Sequence, residues 1–230
     1  MRRSGADEHR SEQREFVLTR NGVQLSARLW LPAGAPPFPC VVFAHGLGSS
    51  KDSPRNVVIA ARLVDAGIAA LLFDLSGHGD STGDPGDGER AYVDDLACAF
   101  AWAQAQPELD RDRIGIAGSS LGAVIAIDAV MDRRVRPAAM VLRAPPVGPH
   151  DLAQLGVPSL ALVGSEDPLF ERVRAAAKES AAVRLCVVPG AGHLFEEPGT
   201  LEVALEQTVT WFRQRLGVAA GDPAVRRPAS

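Results

Sequence analysis

Six short runs that are apolar on both faces, at residues 40–44, 69–73, 113–117, 139–142, 159–163 and 183–188, recur along the chain. Segments of helical period lie between and after them, at 54–66, 89–105, 120–131, 170–180 and 201–216. A strand can be apolar on both faces only where both are covered, which is the situation of a parallel sheet with helices on its two sides. The alternation therefore predicts a doubly wound α/β domain. Ahead of it, residues 16–19 and 23–31 alternate around the turn signal Asn21-Gly22 and read as an antiparallel hairpin. In such a sheet ligands bind beyond the carboxyl ends of the strands, so the loops after the apolar runs are the place to look for chemistry.

A chain of 230 residues suits one domain. Residues 15–217 are expected to form it, with 1–14 and 218–230 as loose ends, because the first segment is polar and the last mixes Pro, Ala, Gly and Arg without apolar period. No internal repeat or low-complexity linker divides the core. The formal net charge of −4 gives no electrostatic reason to expect nucleic acid or an anionic membrane as partner, so a small molecule is expected instead. The N-terminal segment lacks the apolar core of a signal peptide, and no apolar run approaches the roughly 18 residues of a membrane span, which points to the cytoplasm. Cys40, Cys98 and Cys186 are far apart and odd in number, so they read as buried free thiols rather than a disulfide framework or a zinc site.

The segment Ile114-Gly115-Ile116-Ala117-Gly118-Ser119-Ser120-Leu121-Gly122-Ala123 is a strand running through GxSxG into a helix. Small residues at 118 and 122 permit the sharp turn that lifts a serine hydroxyl above the sheet, and the helix N-terminus behind it favours developing negative charge. With 22 glycines in the chain the pentapeptide alone is a weak signal, and the strand and helix around it supply the specificity. A nucleophilic serine needs a base and an orienting acid, expected at later strand ends in the order Ser, acid, His. Gly164-Ser165-Glu166-Asp167-Pro168 follows one apolar run, and Pro189-Gly190-Ala191-Gly192-His193 follows the next. Ser120 is thus the candidate nucleophile, His193 the base and Asp167 the acid, with Glu166 as the alternative acid. Read singly, His193 could be a loop histidine facing solvent and Asp167 a turn residue before Pro168; their joint placement favours catalysis. The oxyanion of acyl transfer needs pre-placed donors, for which the backbone N–H groups of Leu121 and Leu47 are the candidates. His45 is expected to brace its loop, because the constellation already has a base.

These residues together resemble an α/β-hydrolase over residues 15–216. The resemblance rests on His45-Gly46 after the third strand, Asp74-Leu75-Ser76-Gly77-His78-Gly79-Asp80-Ser81 after the fourth, the Ser120 elbow, and the Asp167 and His193 loops. It implies structural roles for Asp74, His78 and Asp80. The chain is similar to the small dienelactone-hydrolase-like and cinnamoyl-esterase-like branches, with two departures. Dienelactone hydrolases proper carry a cysteine nucleophile where this chain has Ser120, and cinnamoyl-type esterases carry a sizeable insertion where residues 144–157 alone join two strands. The expected site is therefore open, with little or no lid.

The leading expectation is hydrolysis of a carboxylic ester, or a related acyl bond, without cofactor or metal. Acyl transfer or lactone opening would use the same triad. A non-catalytic binding protein of the same fold would usually have lost one of the three residues, and none is missing. A metal-assisted enzyme built on His45, His78 and nearby aspartates lacks an HxxEH-like or CxxC spacing. The amphipathic segment 201–216 reads most simply as a last helix on the sheet, and oligomeric state is not legible.

Overall fold

The computed structural model describes residues 11–148 and 150–218. In chain order the elements are β1 (Glu12–Arg20), β2 (Val23–Leu31), β3 (Phe38–Ala44), α1 (Pro54–Asp65), β4 (Ala69–Phe73), α2 (Glu89–Ala105), β5 (Leu109–Ser119), α3 (Leu121–Met131), β6 (Ala139–Arg143), β7 (Ser159–Gly164), α4 (Phe170–Lys178), β8 (Val183–Val188) and α5 (Thr200–Arg215). They build one eight-stranded sheet in the order β1-β2-β4-β3-β5-β6-β7-β8. β1 and β2 form the antiparallel hairpin, β2 pairs antiparallel with β4, and every other pairing is parallel. This is the α/β-hydrolase architecture.

The apolar runs resolve into two faces by the two-residue period of a strand. Cys40, Val42, Leu71, Ile116, Leu142 and Ala161 point into a core covered by α2, α3 and α4. Val41, Phe43, Leu72, Val141, Leu160 and Leu162 point the other way, into a core covered by α1 and α5. Both faces of β3, β4, β6 and β7 are thus buried along their length. β8 departs from that expectation and is mostly half-buried, because it pairs with β7 on one side only and forms an edge of the sheet.

Two boundaries differ by four residues from those read along the sequence, the others by no more than two. β1 begins at Glu12, inside the segment expected to be loose, since its pairing with β2 runs as far as Glu12 opposite Leu31. β5 begins four residues early, at Leu109, where Phe38 pairs with it ahead of a register shift. Residues 1–10 and 219–230, which include most of the two expected loose ends, lie outside the described residues. The short link from β6 to β7 tucks Val147, Leu152 and Leu155 into the core and adds no covering domain.

Candidate active site

The site begins with a close approach of backbones. A Cβ at Gly118 would lie 2.5 Å from the Gly122 carbonyl oxygen, and one at Gly122 would lie 2.0 Å from the Ala44 carbonyl oxygen at the end of β3. Glycine at both positions lets α3 start hard against the sheet, with Ser120 as the hinge. Ser120 takes φ 50° and ψ −118°, a left-handed conformation costing on the order of 1–3 kcal/mol for a residue with a side chain. The fold holds it there through that packing and through its N–H, which donates to the Arg143 carbonyl at 2.9 Å.

The loops after β7 and β8 bring the other two residues. A Cβ at Gly164 would meet the Ala191 carbonyl oxygen at 2.0 Å, so the two loops lie directly on one another. The Glu166 N–H donates to that carbonyl at 3.0 Å, and the Gly190 N–H donates to Ser165 Oγ at 2.8 Å. From this braced pair, His193 Nε2 lies 3.2 Å from Ser120 Oγ, and His193 Nδ1 lies 3.0 Å from Asp167 Oδ2. The Asp167 side chain is fully buried, and its Oδ1 accepts the Leu169 N–H at 2.8 Å. A carboxylate there accepts a hydrogen bond from Nδ1–H and so leaves Nε2 free to accept from the serine hydroxyl. Glu166, the alternative acid, is exposed and accepts from Ser165 Oγ at 3.1 Å, away from His193.

The loop after β3 runs along the elbow, since a Cβ at Gly46 would lie 3.3 Å from the Ser119 carbonyl oxygen and 3.6 Å from Ser120 Cβ. Leu47 follows and is 75% exposed. Leu121, as the first residue of α3, has no intrahelical acceptor for its N–H. Leu47 and Ser120 share a cleft of about 230 Å³ with His193, Arg55 and Arg143.

His45 stands behind this cleft, 1% exposed. Its Nδ1–H donates to the Gly46 carbonyl at 2.8 Å, and its Nε2 accepts the Leu75 N–H at 3.0 Å, so the neutral ring has a partner at each nitrogen. Burial holds its pKa below the ordinary value of 6.5, against the Gly46 carbonyl, which pulls it up. It ties the loop after β3 to the loop after β4. In the latter, buried Asp74 accepts the Lys51 N–H at 2.5 Å, the Asp80 N–H at 3.0 Å and the Lys51 ammonium at 3.0 Å. Burial pushes the Lys51 pKa down, and hydrogen bonds to Asp80 and Asp74 outweigh it and hold the ammonium well above its usual range. His78 Nδ1 lies 3.0 Å from the Ser76 carbonyl, and none of Asp74, His78 or Asp80 lines the cleft. Among the described residues no cluster of three or more His, Cys, Asp or Glu side chains could hold a metal ion.

Two contributors escape the sequence reading. Lys51 is a lone lysine in a loop and carries no sequence signal. Arg143 does carry one, a charge at the carboxyl end of an otherwise apolar strand, where side chains face the site.

Comparison with known proteins agrees with this architecture. The family model described as serine aminopeptidase, S33 matches residues 35–161. A Mycobacterium tuberculosis (strain ATCC 25618 / H37Rv) protein, provisionally named a phosphoribosyl transferase, is 38% identical over 213 residues. That alignment takes in 88% of this chain and 46% of the relative, so the chain spans about half the length of that curated relative. A crystal structure of a dienelactone hydrolase from Anabaena variabilis ATCC 29413 superposes with a TM-score of 0.79 at 30% identity, covering 90% of this chain and 99% of that one. An alpha-beta serine hydrolase homologue from Coxiella burnetii superposes with a TM-score of 0.74 at 27% identity, covering 86% and 96%. With the elbow, the sheet order and the family match in agreement, the chain belongs to the α/β-hydrolase superfamily, in the family described as serine aminopeptidase, S33.

Proposed function

We propose that the chain is a serine hydrolase that cleaves a carboxylic ester of a small molecule through an acyl-Ser120 intermediate. The observation that carries this reading is the unbroken hydrogen-bond chain from Ser120 Oγ through His193 to buried Asp167. His193 Nε2 takes the hydroxyl proton as Oγ attacks the acyl carbon, and Asp167 stabilises the imidazolium that forms. The tetrahedral oxyanion lies between the N–H groups of Leu47 and Leu121, donors that need no reorganisation as charge develops. Collapse breaks the bond to the leaving oxygen, which takes the proton from Nε2 and departs as the alcohol. Water, deprotonated by the same nitrogen, then attacks the acyl-serine, and its proton returns to Ser120 Oγ as the carboxylic acid leaves. An open cleft suits this second step by admitting water. The Anabaena neighbour's name makes a lactone the first cyclic ester to try, because ring opening uses the same bonds.

The test is intact mass spectrometry after brief treatment with a fluorophosphonate. The expected result is a single adduct on the native chain and none on Ser120→Ala. Well-folded native protein that takes no adduct refutes the reading.

A further inference from the structure

Arg143 closes β6 directly beneath the nucleophile and faces the same cleft, yet it is 8% exposed and has no carboxylate partner among the described residues. One Nη–H donates to Asn56 Oδ1 at 2.8 Å. A guanidinium has five N–H donors, so most of its capacity is unspent. None of its nitrogens is both sealed from solvent and unbonded, and the side chain lines the cleft as well as a small adjoining void beside Asn56. Burial, and then repulsion from Arg55, brings its pKa down to about 10, which leaves it cationic at neutral pH.

A buried cation without a counter-ion is destabilising and is seldom kept unless something pairs with it. Nothing in the cleft does so: Arg55 lines it as well, and no aspartate or glutamate is among the residues around it. The nearest pairing is peripheral, from Arg55 Nη1 to the exposed Glu196 carboxylate at 3.3 Å. A chain of net charge −4 has thus gathered two cations and no carboxylate in the lining of the cleft that holds Ser120. The planar fork of an arginine matches a carboxylate in two parallel hydrogen bonds, which point charges such as lysine do not reproduce.

We propose that the cleft selects acyl substrates bearing a carboxylate, which Arg143 binds at the floor while Arg55 assists at the mouth. This assignment of substrate class rests on the hydrolase reading above. Arg143 acts as a specificity residue, through binding more than through turnover.

The test compares two pairs of near-isosteric esters by pH-stat at pH 7.5. Monoethyl glutarate against ethyl pentanoate puts the charge on the acyl side, and 4-acetoxybutanoate against butyl acetate puts it on the alcohol side. The native chain is expected to favour the anionic member of one pair by on the order of ten- to a hundred-fold in kcat/KM, mainly through KM, and the pair that responds says which end of the substrate meets Arg143. Arg143→Gln is expected to abolish the preference, Arg143→Lys to restore part of it, and Arg55→Gln, at the exposed rim, to reduce it a few-fold. Calorimetry with glutarate on Ser120→Ala reads binding without turnover, and binding lost on adding Arg143→Gln supports the proposal. Native protein that labels with fluorophosphonate but hydrolyses both neutral esters at least as fast as their anionic partners overturns the proposal and leaves the hydrolase reading standing. Native protein that neither labels nor hydrolyses any of the four overturns both.

Discussion

Gly122→Ala separates two effects of opposite sign. In an unobstructed helix, alanine in place of glycine stabilises by about 1 kcal/mol. Here the new Cβ would lie 2.0 Å from the Ala44 carbonyl oxygen, 2.5 Å from its carbon and 2.6 Å from the His45 carbonyl oxygen. All three are backbone atoms at the end of a central strand, so no side chain can rotate away, and the start of α3 must back off by roughly 1 Å. Overpacking of this kind costs about 3 kcal/mol at the upper end of its usual range. Against the propensity gain, that leaves a net loss of about 2 kcal/mol, or roughly 4–8 °C in Tm for a domain of this size. The same displacement carries Ser120 away from His193 Nε2, where 3.2 Å is already long for a hydrogen bond, so fluorophosphonate labelling should slow by on the order of 100-fold. Urea denaturation and a labelling time course measure the two effects. Gly156→Ala is the control, because a Cβ there meets nothing within 4 Å, and it should stay within about 0.5 kcal/mol of the native chain. A Gly122→Ala protein that is as stable as the native one and labels at the native rate would refute the reasoning.

Asp167→Asn should lower ester turnover by about 10³- to 10⁴-fold with the fold intact, while Glu166→Gln should change it by no more than about two-fold; the reverse ranking in a steady-state assay would assign the acid to Glu166. Lys51→Met strands the buried Asp74 carboxylate with two backbone donors and should destabilise by about 3 kcal/mol, and adding Asp74→Asn should recover part of that loss in a double-mutant cycle. His45 is held neutral, with its folded pKa below 6.5, so the unfolded chain binds the extra proton first as pH falls. Its contribution to stability is complete above pH 6.5 and declines as pH drops from there through the folded value, because a second ring proton would face the Leu75 N–H. Urea midpoints at pH 7.5 and 5.5 should therefore differ less in His45→Gln than in the native chain, and equal pH dependence in the two would count against the brace.

Element type and order are legible in the amino-acid sequence alone, because a strand buried on both faces must be apolar throughout and a helix must repeat every 3.6 residues. Both signals are local, and the runs at 40–44, 69–73 and 159–163 fall inside or close to β3, β4 and β7. The elbow is legible for the same reason, since Gly118 and Gly122 belong to one turn. What lies across the sheet is not. Which of Glu166 and Asp167 faces His193 depends on how the loop after β7 lies on the loop after β8, where Gly164 packs on Ala191 and the Glu166 N–H donates to the Ala191 carbonyl. The partnership of Lys51 with Asp74, and the isolation of Arg143 beneath Ser120, join residues more than twenty positions apart through a strand order that runs β4-β3-β5-β6 and leaves no trace in sequence spacing. Periodicity reports whether a residue is covered, and it carries no information on what covers it, so charges that meet only after the sheet has closed are left to the tertiary structure to pair or to leave free.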